Sequence, residues 1–287
     1  MSRCRPDTFE TGPGRPHDQP ASFRIAGDPS CGGNANRAAS ERRLASQTIG
    51  IPRLVIVDVA RGIAIVGVVL FHLVWDLSYL RIIPPEVASH PLWLLFGRLL
   101  AGTFMVLVGV SLVLAAAGGF RRDAFMRRLA ILIAAALTIS FLTRITFPQT
   151  FVYFGILHAI AAASVVGALV LRLNKFTIAI LGLVALVLGF TWTSADFDPR
   201  WLAWTGFAAS SPPSNDFVPV FPWVGLTLLG MAGTRLALAQ GWLHRARPID
   251  GRVARFLAWA GRHSLPIYLV HQPVLLGVLI TLVKLAR

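Results

Sequence analysis

Leu54-Val-Ile-Val-Asp58-Val-Ala-Arg61-Gly62-Ile-Ala-Ile-Val-Gly-Val-Val-Leu-Phe71-His72-Leu-Val-Trp75-Asp76-Leu77 is the stretch that decides the fold of this chain. It stays apolar for more than the ~20 residues a helix needs to cross a bilayer. Inside it lie Asp58, Arg61, His72 and Asp76. An ionisable group costs several kcal/mol in hydrocarbon, so such groups mark function by default. Asp58 and Arg61 are three apart, and His72 and Asp76 four apart, so each pair shares a helix face. One spanning helix therefore carries an ion pair near one membrane face and a His–carboxylate pair near the other. That combination points to chemistry or transport within a membrane.

Composition supports the reading. Of 287 residues, 55% are hydrophobic and only 14% charged, where a soluble domain carries about 25% charged residues. The chain reads as an all-α, polytopic membrane helix bundle. Residues 1–50 differ: rich in Arg, Pro, Gly, Ser and Asn, without periodicity, they read as a disordered basic tail. Residues 51–287 form the transmembrane domain. The two cysteines, Cys4 and Cys31, lie in the tail, which argues against a disulfide core, and the scattered histidines imply no metal site. The net charge of +14 sits between apolar segments, as in Arg-rich cytoplasmic loops, so nucleic acid is not an expected partner.

Hydrophobic windows predict about seven spans, near 54–77, 92–116, 128–147, 151–172, 176–194, 217–239 and 264–285. With the N-terminus inside, twenty of the 27 Lys and Arg residues fall on the cytoplasmic side. The positive-inside rule then places the N-terminus in the cytoplasm and the C-terminus outside.

Depth along the helices sorts the polar groups. His72, Asp76, Arg98, Arg144, His158 and Asp216, with Trp223 beside the last, gather in the outer half. Asp58, Arg61 and His271 form a smaller inner group, with Gln272 next to His271. His72 with Asp76 has the form of a general base and its orienting carboxylate; the plainer alternative is an interfacial histidine beside a helix-capping Asp76. Asp58 with Arg61 reads more simply as a structural ion pair, and His271 with Gln272 as hydrogen-bonding glue. Arg98 and Arg144 offer guanidinium forks for a phosphate or carboxylate, or they pair with Asp76 and Asp216 to hold the bundle. His158 lies beside the small-residue stripe Gly155, Ala159, Ala163, so it is either a second acid/base or a satisfied interhelical histidine. Arg121, Arg122, Arg127 and Arg128 are topology determinants, or they attract the phosphates of a cytosolic nucleotide-like cofactor. Walker A, Rossmann and HExxH motifs are absent.

Six motifs then recur in order: Asp58-Val-Ala-Arg61-Gly62-Ile63-Ala64, Phe71-His72-Leu73-Val74-Trp75-Asp76-Leu77, Gly97-Arg98, Phe154-Gly155-Ile156-Leu157-His158, Pro219-Val220-Phe221-Pro222-Trp223-Val224-Gly225 and the run from Gly261 through His271 and Gln272 to Pro273. Together they resemble the compact bacterial members of the heparan-alpha-glucosaminide N-acetyltransferase catalytic-domain family. The similarity covers about residues 53–285.

The resemblance implies a multi-pass acetyltransferase of the bacterial inner membrane. Cytosolic acetyl-CoA would donate an acetyl group to an amino sugar, or another envelope glycan or glycolipid, on the outer side. It also implies an active histidine in the first lumenal loop region. By distance from Arg61-Gly62, His72 falls where the lysosomal type carries Asn, whereas His90-Pro91-Leu92-Trp93 keeps its His-x-x-Trp spacing. His72 and His90 therefore compete for that role, His72 supported by Asp76 and His90 by loop position. The histidine would deprotonate the acceptor or transiently carry the acetyl group, with Arg98 and Arg144 holding the acceptor or the developing oxyanion. Membrane lipids and the acceptor are the expected partners, and a homodimer is one assembly open to the chain. The alternative from another class is a proton-coupled transporter or export component that uses the same groups as a relay.

Overall fold

Apolar runs of this length satisfy their backbone groups internally, and the chain is accordingly helical. The computed structural model describes residues 55–242 and 251–285; the predicted tail, residues 1–50, lies outside them. Among the described residues there is no strand, only the isolated bridges Phe154–Phe217 and Ser194–Ala208. The helices are α1 (Val55–Tyr79), α2 (Pro85–Ser89), α3 (Pro91–Ala116), α4 (Arg122–Thr146), α5 (Ile156–Leu169), α6 (Lys175–Thr191), α7 (Arg200–Ala203), α8 (Trp223–Ala239), α9 (Arg252–Arg262) and α10 (Ser264–Leu285), with a 3₁₀ turn at Ala195–Phe197.

Four of these, α1, α3, α4 and α10, are long and apolar enough to cross a membrane. The other predicted spans correspond to shorter apolar helices: α5 has 14 residues, and α6 and α8 have 17 each. Two of them are short because their flanks are used differently. Residues 150–155 and 215–218 run extended beside each other, with Asn215 N–H donating to the Thr150 carbonyl (2.8 Å) and Val218 N–H to the Phe154 carbonyl (3.1 Å). Pro219 and Pro222 lack an N–H and delay the start of α8 to Trp223. Local caps set other ends: Asn174 accepts from Thr177 N–H at the start of α6, and the His90 Nδ1 accepts from Leu92 N–H at the start of α3.

Helix α9 occupies sequence read as a cytoplasmic loop. Its small residues Ala254, Ala258, Ala260 and Gly261 face inward while Val253, Phe256 and Trp259 stay exposed, an amphipathic pattern that charge counting had hidden. It packs along α1, where Gly62 meets the Leu257 carbonyl and Gly261 meets the Asp58 carbonyl. Only hydrogen side chains allow that approach. Helices α3 and α8 lock together in the same way, Gly109 against Thr227 and Gly230 against Val106, and the buried Thr227 hydroxyl donates to the Met105 carbonyl across the interface (2.9 Å).

After α9 the chain turns at His263 and α10 runs alongside α1 in the same direction. Three contacts in sequence show this: Gly261 with Asp58, His271 with His72, and Gln272 with Asp76. Helix α4, by contrast, packs extensively on α5 alone among the described helices. The space between α4 on one side and α1, α3 and α10 on the other is left as a cavity.

Candidate functional site

That cavity has a volume of about 990 Å³. Its wall follows α3 from Leu94 to Ala115, about 32 Å at 1.5 Å per residue, which matches the ~30 Å hydrocarbon thickness of a bilayer. Polar groups line both ends, and the stretch between is apolar, with Ile65, Phe104, Leu107, Val108 and Ile160.

At one end stand Asp58, Arg61, Ser111, Arg127, Arg128 and Arg262. Arg61 lies 3.7 Å from Asp58, one turn away on α1, and its Nη2 donates to the Ser111 hydroxyl on α3 at 2.7 Å. The first helix therefore presents an ion pair braced by a neighbour's hydroxyl. Three further guanidinium groups beside it make this end strongly cationic, a setting suited to phosphate.

At the other end stand His72, Arg98, Asn215, Asp216, Trp223 and Tyr268. The Asp216 carboxylate is held by two donors, Ile156 N–H at 2.9 Å and the Tyr268 hydroxyl at 3.2 Å. Desolvation pushes its pKa above the ordinary carboxylate value, and those two hydrogen bonds pull the other way.

The histidines differ in what their nitrogens do. His90 caps α3 through Nδ1 and does not line the cavity. His158 is used on both sides: Nδ1 accepts from Gly155 N–H (3.2 Å) and Nε2 contacts the Ser140 hydroxyl (3.3 Å). That hydroxyl already donates to Val152, so Nε2 is the donor and His158 works as a cap for α5. His263 and His271 each hold a backbone carbonyl through Nδ1, at 2.9 and 2.6 Å. Among the described residues only His72 lines the cavity with neither ring nitrogen hydrogen-bonded to protein.

Other predicted site residues fall as follows. Asp76 is fully buried and accepts from the Gln272 Nε2 at 2.7 Å, with no hydrogen bond to His72 among the described residues. Arg144 donates to the Pro148 carbonyl and lies over the Phe151 ring, off the cavity. Arg121 and Arg122 are also off the cavity, whereas Arg127 and Arg128 line it. His271, expected beside Asp58 and Arg61, stands beside His72 instead, with ring centroids 4.9 Å apart. The chain is already level with Asp58 at Gly261, so seven residues of α10 carry His271 well past the ion pair.

Ser111, Arg262, Asn215 and Tyr268 were not singled out from the sequence. Tyr268 was legible in principle, since it lies three residues before His271 and shares its helix face. Ser111 gave no signal beyond being a hydroxyl in an apolar helix. No group of three or more His, Cys, Asp or Glu side chains among the described residues could hold a metal ion.

The family model for heparan-alpha-glucosaminide N-acetyltransferase, catalytic, matches residues 53–273, a span that includes every residue lining the cavity. The chain belongs to this family. No curated protein and no solved structure matches it. Membership of the heparan-alpha-glucosaminide N-acetyltransferase family makes the protein a transferase-type enzyme, and its four long apolar helices place it in a membrane.

Proposed function

We propose that this protein transfers an acetyl group from cytosolic acetyl-CoA to an amino sugar, or another envelope glycan or glycolipid, on the outer side of the bacterial inner membrane. The observation that carries the proposal is the single cavity joining a guanidinium-rich end to an imidazole end over a bilayer's thickness. In this reading the chain crosses seven times, with the flanks of α5, α6 and α8 completing their spans, the N-terminus in the cytoplasm and the C-terminus outside. The Asp58 end faces the cytosol, as the basic segments beside it favour.

Arg61, Arg127, Arg128 and Arg262 would hold the phosphates of acetyl-CoA, and the apolar middle would take its uncharged arm. His72 would accept the proton of the acceptor amine as the nitrogen attacks the thioester carbonyl. The new C–N bond forms, the C–S bond breaks, and His72 returns the proton to the departing sulfur. The products are the N-acetylated acceptor and the free CoA thiol. Free ring nitrogens on the cavity wall favour His72 over His90 for this role, because His90 is committed to a helix cap. Asp76 acts through Gln272 in joining α1 to α10. An apolar middle without ionisable groups also speaks against a proton relay between the two ends.

The test is purified protein in detergent with radiolabelled acetyl-CoA and an amino-sugar acceptor, beside His72→Ala and His90→Ala. Label transfer by wild type and by His90→Ala, lost in His72→Ala, is the expected result. Loss in His90→Ala alone would move the base to that residue.

A further inference from the structure

Asp76 is buried without exposure in the last turn of α1, and the bond it accepts from the Gln272 Nε2 (2.7 Å) reaches across to α10. The other ends of the same two groups, Asp76 Oδ2 and Gln272 Oε1, are buried too and have no hydrogen bond among the described residues. An ionised carboxyl oxygen and a carboxamide oxygen can only accept, so neither can serve the other. Nor does a cation neutralise the acid. His72, Arg81, His90, Arg98 and His271 stand on α1 or on segments beside this end of it, and none has a hydrogen bond or ion pair with Asp76.

A buried charge without a partner costs several kcal/mol, and an acid escapes that cost by keeping its proton. One proton on Oδ2 answers both orphaned oxygens at once, because it turns Oδ2 into a donor and Gln272 Oε1 is there to accept. Carboxylic acid and carboxamide are both planar, so two bonds close a ring: Nε2–H to Oδ1, and Oδ2–H to Oε1. The backbone makes such a clasp necessary. Pro273 has no N–H to give the Leu269 carbonyl, which weakens α10 where it passes His72. Among the described residues of α10 only His271 is buried, and α1 is the main neighbour of the helix.

We infer that Asp76 is a neutral acid locked to Gln272 in a two-bond ring, and that the two are positioning residues holding α10 against α1 beside His72. The ring fixes how far α10 stands along α1, and with it the place of His271 against the His72 imidazole. The inference rests on the proposed acetyl transfer only for the role of His72; the proton on Asp76 is read without turnover.

Asp76→Asn is the decisive variant, because its amide remakes both bonds of the ring without an ionisable group. It should keep the wild-type melting temperature and a kcat within about threefold of wild type, far from the loss of a general base. An ionised carboxylate that orients a histidine loses about 10⁴-fold in kcat on the same change, and a loss of that size at an unchanged melting temperature would overturn the inference. The exchange Asp76→Asn/Gln272→Glu moves the acid to α10 and should also behave as wild type; a melting temperature no better than that of Gln272→Leu would overturn the ring. Gln272→Leu, which opens the ring, should lower kcat about tenfold or more with KM for acetyl-CoA unchanged, and an unchanged kcat would remove the pair as a positioning device. Infrared difference spectra of wild type against Asp76→Asn at neutral pH read the proton directly. The carbonyl band of a hydrogen-bonded carboxylic acid, present in wild type alone, is the expected signal, and a carboxylate band in its place would overturn the inference. That acid band in a wild type without transfer to any acceptor would support the ring and count against the proposed function alone.

Discussion

The imidazoles of His72 and His271 face each other across α1 and α10 with ring centroids 4.9 Å apart. Their partners make them unequal. The Nδ1 of His271 donates to the Tyr268 carbonyl at 2.6 Å, which leaves its Nε2 as a lone pair, buried and without a hydrogen bond. His72 faces the cavity with both nitrogens available. One histidine is thus fixed as a wall for the other.

Replacing His72 should remove general-base assistance, typically worth about 10²- to 10⁴-fold. His72→Ala is expected to lose at least a hundredfold in kcat while its melting temperature stays near wild type. His271→Gln, which acts only through its neighbour, should lose less, in kcat and without a change in KM for acetyl-CoA. Steady-state kinetics on both variants separates the two roles.

The cationic end offers a contrast within the first turns of α4. Arg127 and Arg128 line the cavity while Arg121 and Arg122 do not. The double variant Arg127→Gln/Arg128→Gln should raise KM for acetyl-CoA about tenfold, equivalent to about 1.4 kcal/mol. Arg121→Gln/Arg122→Gln should change it less than twofold. Equal effects would mean that the four act as a diffuse field.

Gln272 holds a carboxyl group that has no exposure. Truncating it strands the Asp76 Oδ1 as well as Oδ2, which already lacks a partner. Gln272→Leu should cost about 1–3 kcal/mol, the penalty of an unsatisfied buried group. The double variant Asp76→Leu/Gln272→Leu should recover part of that loss. Thermal denaturation in one detergent is the measurement, and a Gln272→Leu protein as stable as wild type would contradict it.

Asp216 supplies the pH dependence. Its folded pKa lies above the unfolded value because burial outweighs the bonds from Ile156 and Tyr268. Between those two values the folded state binds more protons than the unfolded one, so stability falls as pH rises through that window. The contribution is complete below the unfolded value near 3.8. Asp216→Asn should flatten the melting-temperature profile above that pH, and an identical slope in the variant would remove Asp216 as the cause.

Gly109 tests the packing. A Cβ there would run into the Thr227 carbonyl of α8. Gly109→Ala should therefore destabilise by about 1–3 kcal/mol through overpacking, while Gly118→Ala, where a Cβ meets nothing within 4 Å, should be tolerated.

Much of the bundle was legible because length and apolarity alone place a helix in a bilayer. Four of the predicted spans are long helices with bounds close to those expected. Three are shorter helices, and two of these, α5 and α8, start late because backbone at residues 150–155 and 215–218 pairs sideways, a partnership between segments about sixty residues apart that no hydropathy window contains. Helix α9 was missed for a related reason. Its inward face is alanine and glycine, which carry little hydrophobic signal, and it exists because Gly62 and Gly261 let two backbones meet.

By itself the sequence determined that the chain is helical and membrane-bound, that Asp58 pairs with Arg61 one turn away, and, through six ordered motifs, its family. Those properties are local: they follow from apolarity, from the 3.6-residue period and from residues a few positions apart. Which histidine is free was decided only by the tertiary structure. His72, His90 and His158 look alike in sequence, and a hydrogen bond to Leu92 or to Gly155 and Ser140 sets two of them aside. The direction of α10 was also decided there, since Gly261 packs at the level of Asp58 and so brings His271 to His72. Depth in a bundle depends on where helices touch, and helix contacts are made between residues that the chain order keeps far apart.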